Sequence, residues 1–144
     1  MAQPLERITH GAEKNATHSI IWLHGLGADG NDFVPILPQL ELRPTTRITF
    51  PHAPVRPITL NYGMPMRGWY DIKDLSFEQH DEDLAGIEAS AAQILAIAKE
   101  EEQRGIPAEN LLYAGFSQGG VLALYLGLRH PCAGILALST YLAD

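Results

Sequence analysis

The chain is poor in the features that would assign it to several large classes of protein. Its 144 residues contain one cysteine, Cys132, so no internal disulfide can form and a bridge-stapled scaffold is excluded. Lys and Arg number 10 against 17 Asp and Glu, giving a net charge of −7. That sign argues against nucleic acid as a partner, because binding there needs cations to neutralise phosphates. The most apolar stretch, 111–128, is broken by Ser117, Gln118 and glycines, so a membrane span of ~20 apolar residues is not expected. No basic segment followed by an apolar one opens the sequence, so no signal peptide is evident and the cytoplasm is the expected location. No Cys/His spacing fits a metal site, and neither an internal repeat nor a low-complexity tract is present.

What remains is an ordinary globular composition, 46% hydrophobic and 19% charged, enough for one domain with a single core. Apolar runs at 19–23, 47–50, 111–115 and 134–139 read as buried strands. Between them lie helical patterns. Asn31 is placed to cap a short helix through Phe33, Ile36, Leu37 and Leu40. Ser76 and Gln79 form a capping box ahead of Leu84, Ile87, Ala91, Ile94, Leu95 and Ala98, with Glu78, Asp81, Glu82 and Asp83 at the positive end of the helix dipole. Gly105 and Pro107 end that helix, and another runs from about Gln118 to Arg129 before Pro131. Strands alternating with helices predict an α/β domain with a mainly parallel sheet and helices on both faces. The segment 51–75 is rich in proline and aromatics and lacks periodicity, which predicts a binding loop.

Gly115-Phe116-Ser117-Gln118-Gly119-Gly120 sits at a strand-to-helix junction. There the Gly-x-Ser-x-Gly pattern reads as a nucleophile elbow, a sharp turn that lifts a serine hydroxyl. The competing reading is a glycine-rich packing turn. Acyl transfer at Ser117 also needs donors for a developing oxyanion. The N–H of Gln118 is the expected first donor, and that of Leu26, in His24-Gly25-Leu26-Gly27 after the first apolar run, the expected second. The serine lacks a partner: downstream stand only His130 and Asp144, in the wrong order for this fold class. His130 lies about 13 residues along the following helix, hence about 20 Å away, where a base must come within ~3 Å. His24 is the upstream alternative, either as base or as a buried hydrogen-bonding residue. His52 and His80 show no partner pattern, His10 and His18 are expected on the surface, and Cys132 is expected to be structural.

Ile21-Trp22-Leu23-His24-Gly25-Leu26-Gly27-Ala28-Asp29-Gly30, Pro51-His52-Ala53-Pro54, Trp69-Tyr70-Asp71, the 115–120 elbow and Ala137-Leu138-Ser139-Thr140-Tyr141 span nearly the whole chain. In these segments the chain resembles the phospholipase/carboxylesterase family of α/β-hydrolases, which includes bacterial carboxylesterases and acyl-protein thioesterases. The resemblance implies Ser117 as nucleophile, Leu26 and Gln118 as oxyanion donors and no cofactor. It implies Trp69 as a wall of the substrate pocket, against the alternative of a core aromatic, and Tyr70 and Asp71 as loop-stabilising. The family's catalytic Asp and His come from beyond the last strand seen here, so residues 1–144 are expected to be the N-terminal two-thirds of one α/β-hydrolase domain. The implied activity is hydrolysis of carboxylic esters of short to medium acyl groups, Leu26, Trp69 and Met66 supplying pocket walls. The alternatives are an acyl thioesterase or lysophospholipase of the same family, or a non-catalytic binding module. The apolar edge at 134–139, if uncovered, predicts pairing of two copies.

Overall fold

Runs that are apolar on both faces become the centre of a sheet, and those that are not become its edges. The computed structural model describes residues 4–74 and 82–143. Strands β1 (Arg7–Gly11), β2 (His18–Leu23), β3 (Thr46–Pro51), β6 (Leu111–Phe116) and β7 (Gly134–Leu138) form one sheet in the order β1-β3-β2-β6-β7. The β2–β3, β2–β6 and β6–β7 pairs are parallel, and β1 alone runs antiparallel, Arg7 opposite Pro51 and Gly11 opposite Arg47. The central strands β2 and β6 are buried along most of their length, whereas β1 and β7 are edges. Leu136 on β7 is 39% exposed.

Helices α1 (Leu84–Gln103) and α2 (Gln118–Arg129) cover one face. Ile87, Ala91, Ile94 and Ile97 of α1 and Val121, Leu122 and Leu126 of α2 pack on Ile21, Leu23, Leu111 and Tyr113. The other face, with Trp22, Ile48, Phe50 and Ala114, is covered by Phe33, Val34, Leu37 and Leu40. The expected helix there is a 3-10 helix, Val34–Gln39. Pro35 and Pro38 remove two of the amides that an α-helical ladder would need. Asn31 does not cap it; its N–H is held by Asp29 Oδ1 at 2.8 Å.

Helix α1 starts later than expected. Asp83 is its cap, accepting from the Gly86 N–H at 3.0 Å. The capping box of Ser76 and Gln79, with Glu78 and Asp81, lies outside the described residues. The end of α1 at Gln103 is followed by Gly105 at φ +98°, and α2 has the expected limits. The proline-rich segment folds into an antiparallel ribbon of β4 (Val55–Pro57) and β5 (Pro65–Arg67). Asp71 steadies it by accepting from the Thr59 N–H and hydroxyl at 2.7 and 2.6 Å.

Glu101 joins α1 to the sheet from below. It is 2% exposed. It accepts from Arg47 Nε at 3.0 and 3.1 Å, Ser19 Oγ at 3.0 Å and Thr49 Oγ1 at 3.4 Å, with Arg104 Nε 3.4 Å away. Among the described residues no helix is long and apolar enough to cross a membrane.

Candidate active site

β6 ends at Phe116 and α2 begins at Gln118, so Ser117 alone makes the turn. Its backbone has φ +53° and ψ −115°, a conformation that costs a non-glycine residue about 1–3 kcal/mol and persists only where the surroundings impose it. The elbow glycines are needed by close approach. A Cβ on Gly115 would strike the Gly119 carbonyl, and one on Gly119 would strike the carbonyls of Leu23 and His24. The Ser117 N–H donates to Leu138 O at 2.9 Å. The Ser117 C=O accepts from Thr140 Oγ1 at 2.6 Å and from the Gly120 N–H at 3.0 Å. Ser117 is half-buried, with its hydroxyl in no hydrogen bond among the described residues.

The loop after β2 lies against this turn. A Cβ on Gly25 would sit 3.2 Å from Phe116 Cδ1 and 3.6 Å from Ser117 Cβ. Gly27, at φ +78°, donates to Arg67 O at 2.8 Å, and Ala28 donates to Gly25 O at 3.3 Å. The Leu26 N–H between them has no acceptor among the described residues. The Gln118 N–H opens α2, where helix geometry leaves it without an intrahelical partner. The site thus combines a half-buried hydroxyl, two uncommitted amides and the positive end of a helix. Each such amide is worth about 3 kcal/mol of barrier when aimed at an oxyanion.

His24 does not supply the base. Its Nε2 accepts the Ala53 N–H at 2.9 Å, so Nδ1 carries the proton and donates to Gly25 O at 2.7 Å. Both nitrogens are committed in the neutral ring. Burial holds its pKa below the usual 6.5, against the opposing pull of the Gly25 bond. Above pH 6.5 the folded and unfolded rings are both neutral. As pH falls through 6.5 the unfolded ring takes a proton that the folded ring refuses, so stability is lost until the folded ring also titrates. His24→Gln is expected to flatten that part of the stability curve, read as urea midpoints between pH 7.5 and 5.

The other histidines are occupied elsewhere. His52 Nδ1 accepts the Gly30 N–H at 3.0 Å, His130 follows the last turn of α2, and His18 Nδ1 is 2.8 Å from Thr17 Oγ1. His10 is exposed on β1 and meets Phe50 edge-on, whereas His18 is half-buried rather than on the surface. His80 and Asp144 lie outside the described residues. Among the described residues no cluster of three or more His, Cys, Asp or Glu could hold a metal. Cys132 is half-buried, its Sγ 3.8 Å from Gly127 O.

Trp69, expected as a pocket wall, has 0% exposure. It lies beneath the site, its indole N–H on His24 O at 2.8 Å and its ring 5.2 Å from the His24 ring. Its backbone N–H donates to Gln118 Oε1 at 2.7 Å, Gln118 Nε2 donates to Tyr70 O at 2.6 Å, and the Ser90 hydroxyl donates to the Trp69 carbonyl. Gln118 is 1% exposed, and its side chain clamps the 69–70 loop to the elbow. Sequence reasoning did not reach that clamp. The Tyr70 and Tyr141 hydroxyls meet at 2.8 Å, and burial drives the Tyr70 pKa far above its usual value.

The geometry agrees with that of known proteins. A family model described as phospholipase/carboxylesterase matches residues 5–144. The acyl-protein thioesterase 1 of Neurospora crassa is 43% identical over 135 residues, covering 88% of this chain and 55% of that protein. The crystal structure of Arabidopsis thaliana SOBER1 superposes with a TM-score of 0.79 at 34% identity, over 86% of this chain and 61% of its own. That of Zea mays acyl-protein thioesterase 2 gives 0.78 at 32%, over 95% and 62%. The chain therefore spans less than two thirds of the length of each of these relatives.

Proposed function

The chain belongs to the phospholipase/carboxylesterase family of α/β-hydrolases, and on that premise we propose that it is the nucleophile-bearing part of a serine hydrolase that cleaves carboxylic esters. The observation that carries this reading is Ser117, held at φ +53° beside the uncommitted amides of Leu26 and Gln118. In this reading residues 1–144 belong to a single α/β-hydrolase domain.

Ser117 Oγ attacks the acyl carbonyl and gives its proton to a base. The carbonyl oxygen becomes an oxyanion and receives the Leu26 and Gln118 N–H groups. Collapse of the adduct expels the alcohol, which takes the proton back from the base. Water then repeats the sequence on the acyl-serine and releases the acid. None of the described residues is placed to be that base, and we assign it, with its acidic partner, to the additional length that the relatives possess. The site needs no cofactor for these steps. We propose Leu26 and Met66 as walls of the acyl site, Met66 Sδ lying 3.6 Å from where a Cβ on Gly27 would be, and short to medium acyl groups as its substrates. The single cysteine supports a reducing compartment such as the cytoplasm. For the 144 residues on their own, pairing of two copies through the open β7 edge belongs to the same reading.

A thioester is the second reading, favoured by the 43% identity to a protein named an acyl-protein thioesterase. The same attack then expels a thiol. The two are separated by kcat/KM on an oxygen ester and a thioester of one acyl chain, measured on the full-length chain. Turnover of the oxygen ester at least as fast supports the carboxylesterase reading. Turnover of the thioester alone moves the assignment to the second.

A further inference from the structure

We infer that Thr140 is a positioning residue for the oxyanion donor on Gln118, acting through the peptide group that Ser117 and Gln118 share. The inference rests on the hydrolase reading above and adds a residue to it.

A peptide group is planar and trans, so its C=O and N–H point in opposite directions and turn together. Whatever fixes the Ser117 carbonyl therefore fixes the Gln118 N–H. Two helical amides reach that carbonyl from one side, Gly120 at 3.0 Å and Val121 at 3.3 Å. The third donor is the Thr140 hydroxyl, at 2.6 Å, from outside the helix.

Thr140 arrives there by its own strained turn. Ser139 stands at φ +48° at the end of β7, facing Ser117 at φ +53° at the end of the neighbouring β6. The Ser139 turn leaves Leu138 O on the Ser117 N–H at 2.9 Å and carries the Thr140 hydroxyl to the Ser117 C=O. One short segment thus grips the nucleophile's backbone on both sides. Room for it is made by Gly120, where a Cβ would come within 2.6 Å of Thr140 Cβ. The second glycine of the Gly119-Gly120 pair thereby gains a purpose that the elbow itself does not require.

The side chain that does this needs a hydroxyl on a short stem. Valine has the shape and no donor, and serine has the donor and less bulk. In the full-length chain, Thr140→Val is expected to lower kcat by roughly tenfold to a hundredfold, a fraction of the loss seen when such a donor is removed outright. KM is expected to change less than twofold. Thr140→Ser is expected to recover most of kcat. The affinity for a boronate analogue, which presents its oxygen where the oxyanion forms, should fall in step with kcat/KM for Thr140→Val.

A purely structural role would lower the melting temperature and leave kcat and boronate affinity alone, and that result overturns the inference. If Thr140→Val fails to fold, Thr140→Ser and Thr140→Ala are compared instead. Equal boronate affinity in those two overturns it, and weaker affinity in Thr140→Ala alone supports it. A wild-type full-length chain that neither hydrolyses esters or thioesters nor reacts with a fluorophosphonate overturns the hydrolase reading, and this inference with it.

Discussion

Replacing Ser117 by alanine is expected to abolish covalent capture by a fluorophosphonate probe and to lower kcat of the full-length chain by about 10⁶-fold, the scale measured for loss of a serine nucleophile in an unrelated hydrolase. The size of the effect follows from what the residue does. In the proposed mechanism the Leu26 and Gln118 amides would stabilise an oxyanion that exists only after Oγ has bonded to the acyl carbon, so without that atom they would have little to act on. The variant should fold. The helix keeps its first hydrogen bond because the Ser117 carbonyl, which accepts from Gly120 and Thr140, is untouched. A circular-dichroism melt within a few degrees of wild type is the accompanying expectation, and relief of no backbone strain is foreseen, since alanine tolerates positive φ no better than serine. Retained turnover would place the chemistry elsewhere and remove the basis for the whole site. The 144-residue stretch by itself is expected to label slowly at most, because the described residues give Ser117 no base.

The second large effect lies at the opposite end of the sheet. Glu101→Ala is expected to destabilise the protein by about 3–5 kcal/mol, the usual loss when one partner is removed from a buried ion pair. Arg47 has 13% of its side chain exposed and would be left charged without a counterion, while the hydroxyls of Ser19 and Thr49 lose their acceptor. Arg104 adds little, since half of its side chain is in water. The measurement is the denaturant midpoint at unchanged slope. A loss below 1 kcal/mol would show that water replaces the carboxylate. The double change Glu101→Leu with Arg47→Met should restore most of the stability, because apolar groups of similar volume often match such a pair.

The sequence carried the centre of the sheet and the elbow well, because there local and global demands coincide. β2 and β6 are apolar on both faces, and α2 is bracketed by a turn that needs glycine at one end and Pro131 at the other. The edges were less legible. β1 reads Arg-Ile-Thr-His-Gly, in which Ile8 alone signals burial, and its pairing with β3 is fixed by tertiary packing. The ribbon of β4 and β5 has three residues per strand, one of them a proline in each, with Pro57 opposite Pro65, too little for a period to show. For α1 the sequence offers Ser76 as the cap and Asp83 as a charge near the helix dipole, and Asp83 is the cap the structure shows. The candidate site divides in the same way. The positive-φ turn at Ser117 and the open amides of Leu26 and Gln118 follow from backbone logic, and the roles given to them belong to the proposed function. The Gln118 side-chain clamp, the bond from the Ala53 N–H to His24 Nε2 and the reach of Thr140 join residues 23 to 49 positions apart, and no local pattern records such a meeting.

Trp69 has a practical consequence. The chain has two tryptophans, and Trp69 is the one seated directly under the His24 turn, its indole fully shielded and its N–H anchored to a single carbonyl. Trp22 sits on the far side of the sheet among Phe33 and Phe50. With Trp22→Phe the protein would carry one tryptophan, shielded from water and hydrogen-bonded to the His24 carbonyl beside the candidate site. Occupation of the site could then be followed by intrinsic emission, with no label added.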